Sequence, residues 1–255
     1  MKLNNKIHGV STIWANFPGF SLLFDSPGHP FRELNGLELL ACDISNDPSL
    51  KFYRALNEGL GALDPPSLFW NYSLCLLPTT SYHVTVYDGG NMGNAKSAVA
   101  EYRAELESLL ADITGTWDDS GPLVRPASQS TLVTERRKIS FKFGKLSVWS
   151  PDVLVVQLQA ADEPSIRALQ QLETERATLS NTYRSGFGFG AGPGYCPHLS
   201  LGYFATNEGA ERAILDESDW DAELRRKTEG LEICFESIHA YGFTNMATFF
   251  RTAED

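Results

Sequence analysis

Two four-residue stretches, His83-Val84-Thr85-Val86 and His198-Leu199-Ser200-Leu201, repeat one alternation of histidine, apolar residue, hydroxyl and apolar residue. Side chains alternate across an extended strand, so in each stretch the histidine and the hydroxyl share one face and the two aliphatic residues share the other. The aliphatic face must be buried, and its reverse then carries the polar pair toward a cleft or solvent. One such strand is ordinary antiparallel structure. Its recurrence, each time ahead of a helical stretch and further strands, suggests duplication of a strand-helix-strand unit. His8, His29 and His239 have no serine or threonine two residues on, and read as structural or surface histidines.

Around these stretches the periodicities alternate between strand and helix. Residues 1–35, rich in Gly, Pro, Asn and Phe, read as an irregular N-terminal wrap, and 36–255 as a single bilobal domain. LELLACDI (37–44) suits a strand, and Asp47-Pro48-Ser49 starts a helix that Gly59 and Gly61 would stop. SLFWNYSLCLLP reads as a strand leading into the first motif. Val99, Tyr102, Leu106, Leu109 and Leu110 mark a helix within 94–112. KISFKFGKLSVWS and DVLVVQLQA form a hairpin turned at Ser150-Pro151, and Asp162-Glu163-Pro164 opens another helix through Leu179. After HLSLGYF come a helix over 208–224 and the strands LEICFESIHAYGF and MATFFRT. The expected class is α+β.

Composition narrows the function. With 21 Lys+Arg against 32 Asp+Glu the chain carries a formal charge of −11, the wrong sign for gripping a long nucleic acid through many phosphates. Duplex DNA is therefore excluded as an expected partner, and a small anion or an RNA end is retained. The four cysteines lie far apart, without C-x-x-C pairs, and read as reduced thiols of a cytoplasmic protein. No targeting segment or membrane span is visible.

With HVTV and HLSL as its signature, the chain resembles the 2H phosphoesterase superfamily, cyclic-phosphodiesterase-like enzymes marked by two H-x-[ST]-x motifs. The likeness runs from about Leu37 to Arg251. It implies a two-lobed, duplicated α+β fold with mainly antiparallel sheets around a central cleft. It also implies hydrolysis of a cyclic nucleotide phosphodiester, without metal or other cofactor. RNA 2′,3′-cyclic phosphate ends, ADP-ribose cyclic phosphate and cyclic oligonucleotides are the implied substrates. A nucleotide-binding module that retains the pocket without turnover is the alternative. Ring opening needs a proton taken from water, a proton given to the departing oxygen, and stabilised charge on the phosphoryl oxygens. His83 and His198 would exchange the protons and Thr85 and Ser200 would hold the oxygens.

Other residues offer weaker signals. GFGFGAGPG (186–194) matches a loose dinucleotide pattern but follows a helix and precedes a strand, the reverse of what that pattern requires. It reads either as a mobile loop presenting backbone amides, Phe187 or Tyr195 to a ligand, or as a plain connection. Tyr87, placed on the His83 face, and Tyr203 are candidates for stacking on a base, with core packing as the other reading. Arg184, Lys142 and Asn91 are further binding candidates. ERRK (135–138) is a dense basic run, a solvated start of a strand or an attractor of anions. A Cys196–His198 thiol mechanism would leave Ser200 and the first motif without a role, so Cys196 reads as a buried, inert cysteine, and zinc would lack a third ligand nearby in sequence, leaving a distant Asp or Glu to supply one.

Overall fold

The computed structural model describes residues 14–28, 31–34, 36–149 and 152–253, so His8, His29 and the Ser150-Pro151 turn lie outside the described residues. Within them the chain forms β1 (Gly19–Phe24), β2 (Phe31–Leu34), β3 (Leu37–Leu40), α1 (Lys51–Ala62), α2 (Pro65–Tyr72), β4 (Leu74–Leu76), β5 (Thr85–Asn91) and α3 (Ala100–Ala111). There follow α4 (Arg125–Ser128), α5 (Thr131–Thr134), β6 (Ile139–Trp149), β7 (Val153–Ala160), α6 (Glu163–Gly186), β8 (His198–Phe204), α7 (Asn207–Thr228), β9 (Glu232–Phe235), β10 (Ile238–Asn245) and β11 (Thr248–Thr252). The strands form two sheets, ordered β2-β3-β11-β10-β1-β5 and β4-β8-β7-β6-β9, with antiparallel ladders throughout. The fold is thus α+β and two-lobed, with one motif strand in each sheet.

Several elements differ from the expectation. GFSLLF, within the stretch read as irregular, is β1, an inner strand of the first sheet. All six of its residues are buried, so it has no polar face and no alternation for a period-two reading to detect. The segment read as one long strand before the first motif divides into α2 and the short β4. Pro65 and Pro66 set the first helical turn of α2, where missing amide protons cost nothing, and Ser73 ends it in a left-handed conformation (φ 54°). Gly59 and Gly61 do not stop α1. Gly59 lies inside the helix because a Cβ there would meet Leu224 Cγ at 3.3 Å, which allows α1 and α7 to approach closely. The strand expected over 37–44 ends at Leu40.

Helices cover the outer faces of both sheets. Tyr183 of α6 is fully buried among Phe20, Tyr87, Phe187 and Phe189, behind the first sheet. On the second sheet, β9 pairs with β6 only as far as Lys142, and α7 satisfies the amides beyond. Asp221 accepts from Leu146 N at 2.7 Å and Glu217 from Val148 N at 2.8 Å, while Arg225 donates to Gly144 O at 2.7 Å. An edge that would otherwise expose unpaired backbone is closed by helix side chains.

Aromatic packing and a backbone bridge join the sheets. At the end of β1, Phe24 stacks on Phe235 at 4.9 Å and meets Phe141 edge-on at 5.8 Å. Nearer the cleft, Val84 and Leu199 form an isolated antiparallel bridge, both fully buried. Truncation there removes buried area and leaves a cavity at the seam. Leu199→Ala is therefore expected to lower unfolding free energy by about 2–5 kcal/mol, read from urea denaturation midpoints.

Candidate active site

The Val84–Leu199 bridge brings the two motifs together. In an antiparallel pair the residues flanking a bridged pair face one another, so His83 lies opposite Ser200 and Thr85 opposite His198. All four point away from the buried Val84–Leu199 side and are half-buried. Directly opposed residues on one face have Cβ atoms about 4.5–5.5 Å apart. Two histidines and two hydroxyls are thereby grouped about an approximate local two-fold axis.

The histidines are oriented alike. His83 Nδ1 lies 2.7 Å from Ser81 O, and His198 Nδ1 lies 2.9 Å from Cys196 O. A carbonyl only accepts, so each Nδ1 carries the proton and each Nε2 is left as the acceptor toward the cleft. Their surroundings differ. His83 packs against Phe249 at 4.1 Å between ring centroids. Burial pushes its pKa down to about 4, with the Ser81 carbonyl opposing the fall and the His198 charge adding to it. His198 packs against Trp149 at 4.5 Å. Its pKa is also lowered by burial, but the Cys196 carbonyl and the Asp88 carboxylate both oppose the shift.

Asp88 is a site residue that alternation conceals. In β5, Leu22 pairs with Tyr87 and Leu23 with Thr85, so Val86 is an extra residue, a bulge. In β8, Leu154 pairs with Gly202 and Val155 with Ser200, so Leu201 is the corresponding bulge. Each bulge reverses the alternation just after the hydroxyl. Asp88 and Tyr203, five residues after their histidines, therefore return to the cleft face, and the Ser200 hydroxyl lies beside the Tyr203 phenol. Tyr87 turns the other way. It is fully buried, 5.5 Å from Tyr183, which corrects its placement on the His83 face. Glycines beside a strand motif were the available signal: Gly202 follows one bulge, and a Cβ there would sit 2.6 Å from Cys75 O.

The glycine-rich segment forms one wall, fastened from α6. Arg176, 8% exposed, donates from Nε to Val86 O at 2.9 Å and from Nη1 to Gly192 O at 3.1 Å and Gly194 O at 2.6 Å. Its guanidinium lies over the Tyr195 ring at 5.3 Å, and Tyr195 donates to Thr85 O at 3.0 Å. Gly194 (φ 73°) adopts the left-handed conformation that this path needs. Phe187 is core, packed on Tyr183 and Tyr102, and offers nothing to a ligand. The wall encloses a cavity of about 370 Å³ lined by Thr85, Val86, Asp88, Trp149, Arg176, Pro193, Gly194, Tyr195, Cys196 and His198. A second, more apolar cavity of about 460 Å³ is lined by Tyr203 with Trp14, Phe17 and Met246 among others.

The remaining candidates lie elsewhere. Lys142 lines a separate cavity beside Arg225 and Arg226 at the C-terminal end of α7. Arg184 donates to Ala191 O and secures the loop, facing Asn181 and Ser185 at the surface. Asn91 accepts from Gly93 N at 2.8 Å and shapes the turn after β5. Arg137 of the basic run pairs with Glu175 at 2.8 Å. Cys196 is exposed, not buried, and its thiol pKa is raised, the opposite of an activated nucleophile. His239 belongs to a network around Asp25, which also accepts from Tyr241 and Arg251, so it is structural.

No family model matches the sequence, and no curated protein matches it. Among solved structures, the chain is similar to a conserved protein of unknown function from Agrobacterium tumefaciens. That match has 15% identity and a TM-score of 0.52, covering 92% of this chain and 84% of the other. Usb1 of Kluyveromyces marxianus, solved with uridine monophosphate, matches at 14% identity and a TM-score of 0.41, covering 93% and 98%. A second structure of the same Usb1 matches at 10% identity and the same TM-score. At these identities the Agrobacterium likeness shows a shared fold.

The depressed His83 pKa predicts a pH dependence of stability. An unfolded histidine takes its proton near about pH 6.5, whereas folded His83 takes it near about 4. Between those values the unfolded chain binds more protons, so stability falls as the pH drops through this window. Urea midpoints measured across it should decline less steeply in His83→Gln than in the wild type.

Proposed function

We propose that this protein is a 2H-type phosphoesterase that hydrolyses a cyclic nucleotide phosphodiester by two-histidine acid–base chemistry, without a metal. The observation that carries this reading is the Val84–Leu199 bridge, which groups two like-oriented histidines and two hydroxyls on one half-buried face beside a cavity. Substrates in keeping with the cavity are small nucleotide 2′,3′-cyclic phosphates, RNA ends and small cyclic oligonucleotides.

The two histidines differ enough in surroundings to divide the proton transfers. Two imidazolium ions side by side repel, so one proton is shared between the pair. Asp88 and the open cavity favour that proton on His198, while Phe249 and burial keep His83 neutral. His83 Nε2 takes the proton of the attacking water, and His198 Nε2 gives its proton to the departing ribose oxygen. A bound phosphodiester anion raises both pKa values and brings His83 closer to the range of an effective base. Thr85 and Ser200 donate hydrogen bonds to the non-bridging oxygens as charge accumulates there. Arg176 adds a positive field from the cavity wall without touching the reacting atoms.

Turnover of a nucleoside 2′,3′-cyclic phosphate, followed by chromatography with EDTA present, tests the reading. His83→Ala and His198→Ala are each expected to lower kcat/KM by about 10²–10⁴-fold. Full activity in both variants would sink the assignment. A ligand-induced melting shift in the wild type without product would instead identify a binding module.

A further inference from the structure

The local two-fold breaks at one position. Where the second motif presents the phenol of Tyr203, the first presents the carboxylate of Asp88, turned into the cavity by the Val86 bulge. A carboxylate is an unexpected lining for a cavity that receives a phosphate. Among the described residues none donates a hydrogen bond to the Asp88 carboxylate, and none forms an ion pair with it. Arg176, the one arginine or lysine among the residues lining that cavity, has Nε and Nη1 committed to the carbonyls of Val86, Gly192 and Gly194. The groups facing Asp88 are His198 and Tyr203 from β8, Arg176 from α6 and Tyr195 from the loop. The cavity walls around the partly open Asp88 side chain displace water from its carboxyl and raise its pKa, with His198 and Arg176 opposing the rise. The guanidinium and the carboxylate offset one another, so the proton on His198 is the wall's net charge before any ligand enters.

We propose that Asp88 is a specificity-determining residue that admits phosphate groups bearing a single negative charge and turns away those bearing two. The inference rests on the nucleotide reading above and deepens it. A phosphodiester, cyclic or linear, carries one charge at neutral pH, whereas a terminal phosphomonoester carries about −1.5 to −2, with a second pKa near about 6. The protonated His198 answers the first negative charge, and the second meets the Asp88 carboxylate. Ring opening converts the first kind of ligand into the second. The same carboxylate that tolerates the substrate therefore speeds departure of the product, and terminal phosphates already present on other nucleotides compete poorly.

Two unreactive probes isolate the charge: thymidine 3′-monophosphate and its monomethyl ester, which lack the 2′-hydroxyl and differ by one methyl group. Calorimetric titration of the full chain at about pH 7.5 should give weaker binding of the monophosphate than of the ester. Asp88→Asn should tighten the monophosphate by about 5-fold or more while changing the ester by less than about 2-fold. Asp88→Glu should keep the wild-type preference, and the preference should shrink at about pH 5, where the monophosphate gains its second proton. Equal shifts for both probes in Asp88→Asn, or none for the monophosphate, would overturn the inference and leave the nucleotide reading standing. Binding of neither probe to the wild type would overturn both.

Discussion

One pairing, between Val84 and Leu199, holds the two sheets together at the point where the two histidine motifs meet. Each sheet has its own ladder and its own helical cover, and each contributes two polar side chains to the cleft. Neither half is a site alone. The seam is buried because its aliphatic side chains must leave water, and the reverse of the same strands is thereby committed to face the cleft. The placement of these side chains follows from a single hydrophobic contact, reinforced at a distance by the stack of Phe24 on Phe235.

The symmetry created by that pairing is geometric and not electrostatic. Both imidazoles anchor Nδ1 on the carbonyl two residues upstream, so both present the same nitrogen. Phe249 beside one ring and Asp88 near the other then make the pair unequal. A duplicated scaffold can supply two equivalent groups, and divergence of a few neighbours is enough to give them different tasks.

The two motifs were legible because alternation is a local property that the sequence displays directly. The class of fold followed from the order of periodic segments. What was hidden had physical causes. β1 carries no alternation because both its faces are buried, and the proline-opened helix α2 imitates a strand through its run of aromatic and aliphatic residues. Tyr87 and Asp88 exchange faces for one shared reason: a bulge at Val86 shifts the parity of every later residue, and strict alternation does not register it. Lys142 and Arg184 are cationic, and charge does not locate a residue in space. Arg176 could not be found by that criterion either, since its partners are backbone carbonyls distant in sequence.

The carbonyl of Val86 links features that otherwise look independent. The irregularity that rotates Asp88 inward also offers this oxygen to Arg176, which in turn holds Gly192 and Gly194. Repairing the irregularity by deleting one residue would do more than realign a strand. It would strand a buried cation and slacken the facing wall at the same moment. Variation among relatives of this chain should therefore come in concert, with the extra residue, the arginine and the glycines kept or lost as a set.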